Sequence, residues 1–403
     1  MLYDKLVEYV ESGVYPMHMP GHKRNVGFLP GLPCGIDITE VHGFDDLHAP
    51  HGILREMSEL AAGVYGSDRA FLLVNGSTVG NLAAIGALVK SGERILMARN
   101  CHRSVYNAVA LFGLDPVILA PETYGDTGIA RDVAASAVES ALDNNPDIKL
   151  VVITSPTYEG VISDVAAIAR AAHGRGVPLH VDSAHGAHLG FSPMFPRGAV
   201  AEGADVVVMS LHKTLPALTQ CSLLHVSGGL ADSDGIARML SILQTSSPSY
   251  VLMSSIDRCL RLLASAAEVG RLFGTYERNL VGFSEVVSKL ENLSILWHGG
   301  GHREIASSIG VPAGAGLCSD PALLGCGSGS ASARIHACDP GKIVILTEKT
   351  PLSGTELAAV LRDRYCIELE MSRPKYAVAM TSICDRPDGF ARLAAALREI
   401  DRD

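Results

Sequence analysis

The stretch "VVVMSLHKTLPALTQ", residues 206–220, joins an apolar run to a polar segment that contains a lysine. Residues 206–209 have the pattern of a buried strand, and Lys213 follows close behind them. A lysine that forms an imine with an aldehyde must be partly neutral, which burial and nearby cations promote. The alternative is a strand-end lysine whose amine extends into water. Lys213 is therefore a candidate for imine formation. The residues around it determine whether that role or the solvent-exposed alternative applies.

Similar apolar runs alternate with helix-like stretches from residue 52 to about residue 226. The strand-like runs are "AFLLV", "RILMA", "PVILA", "IKLVVIT", "VPLHV" and "ADVVVMS". Continuous apolar strands separated by amphipathic helices are typical of a parallel sheet that is covered on both faces. We therefore predict an α/β fold with a mainly parallel sheet, whose ligands bind beyond the carboxyl ends of the strands.

Polar and reactive residues follow five of these predicted strands. They occupy residues 75–78, 99–102, 155–158, 182–185 and 210–213. Because the carboxyl ends of parallel strands meet at one edge of a sheet, we expect these five segments to form one site.

Asp182 ends one of the predicted strands. A carboxylate here could pair with the ring nitrogen of pyridoxal phosphate, since the protonated pyridinium is the better electron sink. The simpler interpretation is an aspartate that caps the following turn. A third is a metal site, because Asp182, His185 and His188 stand at three-residue spacings. A metal needs three or four ligands with supporting hydrogen bonds, and this trio leaves Lys213 unexplained, so we predict no metal.

Hydroxyl groups and a histidine follow other strands. Gly76, Ser77 and Thr78 stand between a strand and a helix, where backbone N–H groups and hydroxyls bind anions, although Ser and Thr are also common helix caps. His102 could stack on an aromatic ring, or it could be a cap or a core residue. The segment "TSSPSY", residues 245–250, carries hydroxyls on a proline-containing turn, and its plain interpretation is a helix start.

The composition excludes several classes of protein. The 403 residues are 47% hydrophobic and 19% charged, which suits a globular protein of two domains. A net charge of −10 argues against a nucleic-acid surface, and no apolar run approaches the roughly 18 residues of a membrane span. The opening "MLYDKLVEYVESG" lacks the apolar core of a secretory signal, and the nine cysteines are scattered without a Cys-x-x-Cys pair. We therefore expect a cytoplasmic protein with reduced thiols.

Three regions are expected along the chain. Residues 1–50 would form an N-terminal arm and loops near the active site, and residues 51–290 a large domain that ends in one or two long helices. Residues 291–403 would form a small C-terminal α/β domain, which begins with a Gly- and Ser-rich region.

Motifs in order along nearly the whole chain resemble the ornithine/lysine/arginine decarboxylase family, which are pyridoxal-phosphate enzymes of fold type I. They are "HMPGHKRN" (18–25), "DDLHAPHG" (45–52), "VNGSTVGN" (74–81), "RNCHRS" (99–104), "SPTYEGV" (155–161), "VDSAHGAH" (181–188), "SLHKTLPALTQ" (210–220) and "SSPSY" (246–250). The tail is also similar, with "DPGKIVI", "SGTELAAVL" and "IELE". The resemblance implies pyridoxal 5'-phosphate as the cofactor and decarboxylation of a basic amino acid, namely lysine, ornithine or arginine.

The resemblance also implies roles for individual residues. Lys213 would bind the cofactor covalently, Asp182 would pair with the pyridine nitrogen, His102 would stack on the ring, and His185 would stand beside the substrate carboxylate. The other residues implied to bind the cofactor are Gly76, Ser77, Thr78, Ala184, Ser210 and His212. Lys213, His212 and His185 are all candidates to return a proton to the substrate.

The segment "SSPSY" implies an oligomer, because in the family it contributes to the partner's site. Ser247 would reach the phosphate of the partner subunit, giving a homodimer or a higher oligomer with shared active sites. The chain departs from its relatives at Ser183, where they often carry an acid. The resemblance does not extend to the extra N- and C-terminal domains of the longer decarboxylases, so we expect a short bacterial form.

Other functions remain open at this point. The same cofactor supports transamination or elimination, and an aminotransferase would clamp the substrate carboxylate with an arginine such as Arg334 or Arg373. A protein that binds the cofactor without turnover and a metal hydrolase are further alternatives. A basic substrate needs acids to meet its distal cation, and the candidates are Glu40, Asp45, Asp46 and Glu159.

Overall fold

A computed structural model describes residues 1–296 and 336–402. The predicted Gly- and Ser-rich region, residues 298–333, and the candidate Arg334 lie outside the described residues.

The described elements alternate between strand and helix over the first two thirds of the chain. The helices are α1 (Leu2–Glu11), α2 (Ile53–Tyr65), α3 (Gly76–Leu88), α4 (Arg103–Phe112), α5 (Ala135–Asn144), α6 (Val165–His173), α7 (Leu211–Thr214), α8 (Ser233–Leu243), α9 (Tyr250–Ala264), α10 (Ala266–Val287), α11 (Gly354–Tyr365) and α12 (Pro387–Ile400). The strands are β1 (Arg69–Leu73), β2 (Arg94–Ala98), β3 (Asp115–Leu119), β4 (Ile148–Thr154), β5 (Val161–Ile162), β6 (Leu179–Asp182), β7 (Val206–Ser210), β8 (Ser222–Val226), β9 (Ser294–Ile295), β10 (Ala337–Cys338), β11 (Lys342–Leu346), β12 (Met371–Arg373) and β13 (Tyr376–Met380).

A seven-stranded sheet in the order β1-β8-β7-β6-β4-β2-β3 forms the centre of the larger part. Strands β7, β6, β4, β2 and β3 pair in parallel, and β8 runs antiparallel to both of its neighbours. This arrangement confirms the predicted α/β fold with a mainly parallel sheet. Strand β8 was missing from the sequence-based prediction, and it separates β1 from the rest.

The central strands are apolar throughout because both faces of the sheet are covered. All five residues of β7 are buried. Val206 and Val208 belong to one apolar cluster, with α3 and α8, whereas Val207 and Met209 belong to the other. Helix α3 lies close against the sheet at Gly80, where an added Cβ would be 2.8 Å from Leu73 Cδ1. This close packing fixes the N-terminus of α3 at the carboxyl edge of the strands.

The last part of the chain has an antiparallel sheet in the order β12-β13-β11-β9, together with α11 and α12. Strand β11 is buried over its whole length, as its apolar run predicts. Helix α12 packs on α10, and α1 packs on α9, so that both long helices are covered. The proposed boundaries at residues 50 and 290 stay predictions.

A short pair of strands links the two parts. Val161 and Ile162 in β5 pair with Cys338 and Ala337 in β10. The chain after β10 therefore passes the carboxyl edge of the large sheet before it enters β11. Among the described residues, the apolar helices are too short or too polar to cross a membrane.

Candidate active site

The ends of β6 and β7 bring the candidate residues together. The two strands are parallel neighbours, and Asp182, at the end of β6, pairs in register with Val208. Strand β7 continues directly from Ser210 into the short helix α7, which carries His212 and Lys213. The lysine and the aspartate therefore lie at the same edge of the sheet, as the strand-end pattern predicts.

Lys213 is partly buried and its amine has a histidine as its neighbour. Lys213 Nζ lies 3.0 Å from His185 Nε2. Burial lowers the pKa of Lys213, while the charges of Asp182 and Glu370 act in the opposite direction. A lowered pKa increases the neutral fraction of the amine, which is the form that attacks a carbonyl.

His185 is 5% exposed and is held from several sides. Its Nδ1 lies 2.8 Å from Lys342 Nζ, and its ring packs against Tyr158 with 4.7 Å between centroids. Burial holds the pKa of His185 well below its ordinary value, and the charges of Lys342 and Lys213 lower it further. The imidazole is therefore neutral at physiological pH.

Asp182 is 2% exposed and both of its carboxylate oxygens accept hydrogen bonds. Asn81 Nδ2 donates to one oxygen at 2.8 Å, and the backbone N–H of Ala184 donates to the other at 3.2 Å. Asn81 also lies 2.9 Å from His180 Nε2. Ser183, the position that differs from many relatives, is buried beside them. These contacts fix the carboxylate at the end of β6, where it can face a ligand.

A cluster of hydroxyl groups lies at the N-terminus of α3. Ser77 Oγ is 2.7 Å from Ser210 Oγ and 3.4 Å from Ser222 Oγ. Gly76 begins the helix with a φ of +71°, and its N–H donates to Gln220 O at 3.0 Å. Hydroxyls beside a helix N-terminus are suited to a phosphate group. The antiparallel direction of β8 places Ser222 opposite Ser210 and so adds a third hydroxyl.

Thr78 and His102 are both exposed at this edge of the sheet. His102 is the N-cap of α4, since its Nδ1 accepts the N–H of Ser104 at 3.2 Å. Burial of part of the ring lowers the pKa of His102, an effect that the charge of Asp182 opposes. His102 therefore caps α4, which was one of the alternatives that the sequence left open. The cap fixes the imidazole, and the exposed side of the ring can stack on a ligand.

The His212 side chain lies beside Cys221, the residue that precedes β8. Its Nδ1 lies 3.0 Å from the carbonyl oxygen of Cys221, which also accepts the N–H of Leu211 at 3.0 Å. Burial lowers the pKa of His212. The contact ties the residues after β7 to the residue before β8.

Ser247 is exposed, and its N–H donates to Thr245 Oγ1 at 3.1 Å. The N–H of Thr245 in turn donates to Asn75 Oδ1 at 3.1 Å, and Asn75 is the N-cap of α3. The segment therefore lies near the hydroxyl cluster of its own chain. The role of Ser247 in a partner's site stays a prediction.

The three residues considered for a metal have different partners. Asp182 binds Asn81, His185 binds the two lysines, and His188 Nε2 lies 3.1 Å from Asp339 Oδ1. In the part of the chain that the structure describes, no three His, Cys, Asp or Glu side chains are grouped to hold a metal ion.

The acids proposed for a substrate cation separate into two groups. Asp45 is buried and accepts backbone N–H bonds at the start of α2, while Glu40 and Asp46 are exposed. Glu159 accepts a hydrogen bond from Tyr376 at 2.8 Å, and Glu370, which the sequence did not single out, accepts one from Tyr158.

Glu159 and Glu370 act on the two lysines. Burial lowers the pKa of Lys342, and the charges of both acids partly oppose that effect, as the charge of Glu370 does at Lys213. The candidate Arg373 is exposed in β12, beside Glu370 in the sequence.

Three contributors were missed by the sequence analysis: Asn81, Lys342 and Glu370. Each lies inside a quoted motif, "VNGSTVGN", "DPGKIVI" or "IELE". The motifs could have drawn attention to them, but their contacts with Asp182, His185 and Tyr158 join residues far apart in the chain.

The sequence profile of the Orn/Lys/Arg decarboxylase major domain matches residues 1–293. An arginine decarboxylase of Halalkalibacterium halodurans is 31% identical over 406 residues, covering 99% of this chain and 76% of that protein. The chain belongs to the Orn/Lys/Arg decarboxylase family. The uncharacterized protein YaaO of Bacillus subtilis is 43% identical over 263 residues, which cover 64% of this chain and 55% of YaaO.

Solved structures show the same fold. The constitutive lysine decarboxylase of Escherichia coli matches with a TM-score of 0.78 and 22% identity, over 100% of this chain and 60% of that one. An alanine–glyoxylate aminotransferase from Nostoc sp. matches with a TM-score of 0.61 and 14% identity, over 86% of each chain. The family member therefore has the fold of type I pyridoxal-phosphate enzymes. It spans little more than half the length of YaaO and of the E. coli enzyme.

The residues at the strand ends fit pyridoxal phosphate. The site offers a primary amine for the aldehyde (Lys213) and a buried carboxylate for the pyridine nitrogen (Asp182). It also offers a hydroxyl cluster at a helix N-terminus for the phosphate (Ser77 and Ser210) and an exposed imidazole for the ring face (His102). Within residues 1–296 and 336–402, the hydrogen bonds to the buried Asp182 come from neutral groups, the Asn81 amide and the Ala184 N–H, so a pyridinium would supply a counter-charge.

Proposed function

We propose that this protein removes the α-carboxylate of a basic amino acid as carbon dioxide, using pyridoxal phosphate, and releases the corresponding amine. The observation that carries the proposal is the position of Lys213. Its amine lies 3.0 Å from the neutral His185, near the buried Asp182, in a chain of a decarboxylase family. The scattered cysteines support a cytoplasmic location.

When bound, the cofactor supplies an electron sink for the pair that remains on the α-carbon after the carboxylate leaves. Asp182 keeps the pyridine nitrogen protonated, which strengthens that sink. Ser77 and Ser210 hold the phosphate through their hydroxyls, and His102 covers the ring. The hydrogen bonds that hold Ser77, Asp182 and His102 near the strand ends support these roles.

Two side chains are placed to return a proton to the substrate. Lys213 Nζ and His185 Nε2 are within hydrogen-bond distance of each other, so either can exchange a proton with the other. His212 has its Nδ1 at the carbonyl of Cys221, which leaves only Nε2 for such a role.

The acids Glu370 and Glu159 support the proposal that the substrate has a basic side chain. Glu370 and Glu159 both act electrostatically on the buried Lys342. Tyrosine hydroxyls from Tyr158 and Tyr376 orient them. Carboxylates held in this way favour a cationic ammonium or guanidinium group over a neutral side chain.

We further infer that the working unit is at least a homodimer with shared sites. The segment 14–32 exposes a row of large apolar side chains, which is unusual for a surface in contact with water alone. They are Val14, Tyr15, Met17, Met19, Val26, Phe28, Leu29 and Leu32. A second copy of the chain would cover them and bring its Ser247 to the phosphate.

The test is a panel of amino acids assayed for carbon dioxide release, with the amine products identified by mass spectrometry. We expect release from lysine, ornithine or arginine, and none with the Lys213→Ala variant. Borohydride reduction should fix the cofactor on the peptide that contains Lys213. Labelling of another lysine, absence of bound cofactor, or formation of a keto acid in place of an amine would overturn the proposal.

A further inference from the structure

A cleft lies along the free edge of the large sheet, where β1 is the last strand. In the part of the chain that the structure describes, β1 pairs with β8 alone, which leaves its other side without a strand. Residues 69–72 of β1, parts of α2 and α8, and the loop before α2 enclose a volume of about 420 Å³, which we call the edge cleft. The described residues that line it include none of those assigned to the cofactor.

Helices α2 and α8 cover opposite faces of β1. Ala70 and Leu72 pack in the apolar cluster that contains Met57 of α2, whereas Leu73 packs in the cluster that contains Leu240 of α8. Both helices also line the edge cleft, so they extend past β1. A further strand would lie about 4.8 Å from β1, between these two helical layers. The edge cleft therefore has the position and the walls of one more strand of the sheet.

Gln244 shows which main-chain groups of β1 face the edge cleft. Its Oε1 accepts the N–H of Val74 at 2.9 Å, and its Nε2 donates to the carbonyl oxygen of Leu72 at 3.4 Å. In an antiparallel strand, successive residues direct their N–H and C=O groups to alternate sides. Because Leu72 and Val74 direct theirs away from β8, Ala70 does the same. The amide of Gln244 thus takes the place of a neighbouring strand at one end of the edge cleft.

Three main-chain groups beside Gln244 face the edge cleft without such a partner. They are the N–H and C=O of Ala70 and the N–H of Leu72, to which no loop or side chain within residues 1–296 and 336–402 forms a hydrogen bond. Ala70 is 3% exposed and Leu72 is 2% exposed. Buried main-chain groups need hydrogen-bond partners, and the free set here is two donors and one acceptor. An extended peptide offers carbonyl groups and an N–H at the spacing of a neighbouring strand.

The rim of the edge cleft carries balanced charge. On α2, Arg55 Nε lies 2.8 Å from Glu59 Oε1, and at the start of β1, Arg69 Nη1 lies 2.8 Å from Asp234 Oδ1. Each arginine is therefore paired with an acid. A polyanion such as a nucleic acid binds through a surplus of cations, whereas an extended peptide binds through main-chain hydrogen bonds at a sheet edge. These observations favour a peptide.

We propose that the edge cleft binds an extended segment of a partner protein, which adds a strand to the sheet beside Ala70. The part of β1 that lines the edge cleft, residues 69–72, spans about 10 Å, enough for about three residues of such a strand. The segment ends at Gln244, because the amide of Gln244 already occupies the next position. Main-chain hydrogen bonds supply the affinity, and the walls of α2 and α8 select the side chains.

The test uses heptapeptides that are selected from a random display library on the immobilised full chain, labelled with a fluorophore and titrated by anisotropy. Ala70→Pro removes the N–H that faces the edge cleft, and an edge strand accepts proline where the N–H points away from the sheet. We expect peptides whose Kd rises by at least about tenfold in Ala70→Pro, since a hydrogen bond is lost and the proline ring enters the edge cleft. A library that yields no peptide, or only peptides that bind Ala70→Pro as they bind wild type, would refute the proposal.

A second pair of variants leaves the main chain of β1 unchanged. Ala237→Trp fills the edge cleft from the side of α8 and should weaken the same peptides to a similar extent. Ile242→Trp, at a position of the same helix that is 71% exposed, should leave their Kd unchanged. Undiminished binding to Ala237→Trp would contradict the proposal even if Ala70→Pro does not fold.

Hydrogen exchange of the wild-type protein locates the bound peptide. The N–H of Phe71 faces β8 and should exchange at the same rate with and without peptide, whereas the N–H groups of Ala70 and Leu72 should exchange more slowly when a peptide is bound. A bound peptide that leaves the exchange of Ala70 and Leu72 unchanged lies elsewhere, and the proposal is then wrong.

A second copy of the chain is the alternative occupant of the edge cleft. Sedimentation of wild type and Ala70→Pro should give the same mass, because the proposed occupant is a different protein. A lower mass for the variant would show that a second copy fills the edge cleft and would exclude the partner segment. These experiments need no turnover, so their outcome is independent of the carbon dioxide assay.

Discussion

Replacing Asp45 with asparagine should destabilise the protein without changing its preference for basic substrates. The Asp45 carboxylate is 4% exposed and accepts the backbone N–H groups of His51 at 3.0 Å, Gly52 at 2.7 Å and Leu54 at 3.2 Å. These groups belong to the start of α2, where N–H donors have no partner within the helix. Asp45 therefore holds the beginning of a helix, although its motif made it a candidate for the substrate cation.

The size of the effect follows from these contacts. Asparagine keeps one acceptor oxygen, so at least one hydrogen bond to a charged group is lost and a side-chain N–H₂ faces a backbone N–H. Such a bond contributes about 1.5–3 kcal/mol, and we expect the free energy of unfolding to fall by about that amount. Burial raises the pKa of Asp45, but the N–H groups of His51, Gly52 and Leu54 outweigh it and hold the pKa below its ordinary value.

A lowered pKa in the folded state has a defined consequence for pH dependence. The stabilisation by Asp45 is complete above the unfolded pKa of about 3.9 and is lost as the pH falls through the folded value. Urea unfolding followed by circular dichroism should therefore separate wild type from Asp45→Asn at pH 7, and the difference should shrink below about pH 4.

The matched control is Asp46→Asn, since Asp46 is exposed and accepts a local N–H from His48 at 2.8 Å. It should change the unfolding free energy by less than about 0.5 kcal/mol. Equal stability of Asp45→Asn and wild type would refute the capping role. A rise in KM that is confined to basic amino acids would return Asp45 to the substrate site.

Three further predictions concern the site itself. Asp182→Asn should keep its bound cofactor, seen by absorbance, yet lose most carbon dioxide release, because an amide cannot stabilise a pyridinium as a carboxylate does; near-normal turnover would exclude the ring-nitrogen role. Glu370→Gln should raise KM for a basic amino acid by about tenfold or more, since a charged hydrogen bond contributes about 1.5–3 kcal/mol, and an unchanged KM would remove Glu370 from the substrate subsite. Mixing inactive Lys213→Ala and Ser247→Glu proteins should restore part of the activity, because a heterodimer with shared sites keeps one intact site; no recovery after proven subunit exchange would count against shared sites.

The strand positions were largely predictable because their residues are buried on both faces. The run "IKLVVIT" corresponds to β4 over its full length, and the buried "VVVMS" is β7. Strand β8 was missed, although its five residues are all buried, because the rule used was alternation of strand and helix. Only the short α7 and a loop separate β8 from β7, so a rule that expects a full helix between strands does not predict β8.

The site was predictable only where its residues follow a strand. Asp182, Ser210 and Lys213 were found because parallel strands end at a common edge. Asn81 lies in the second turn of α3 and Lys342 opens a strand of the other sheet, and both reach the site through contacts more than 100 residues apart in the chain. Sequence periodicity reports which face of an element is buried, but it does not report which distant element lies against that face.

The antiparallel strand β8 has a practical consequence for engineering. The segment from Ser210 to Ser222 leaves the sheet and returns to it, and Ser210 and Ser222 are paired in register. The Leu211 N–H donates to the Cys221 carbonyl and so joins the two ends of the loop. An insertion there would disturb the contacts of the Cys221 carbonyl with Leu211 and His212, which hold the loop beside the hydroxyl cluster. Libraries for new substrates should therefore leave this loop at its native length and vary Glu370 and Tyr376, which contact Tyr158 and Glu159 near His185.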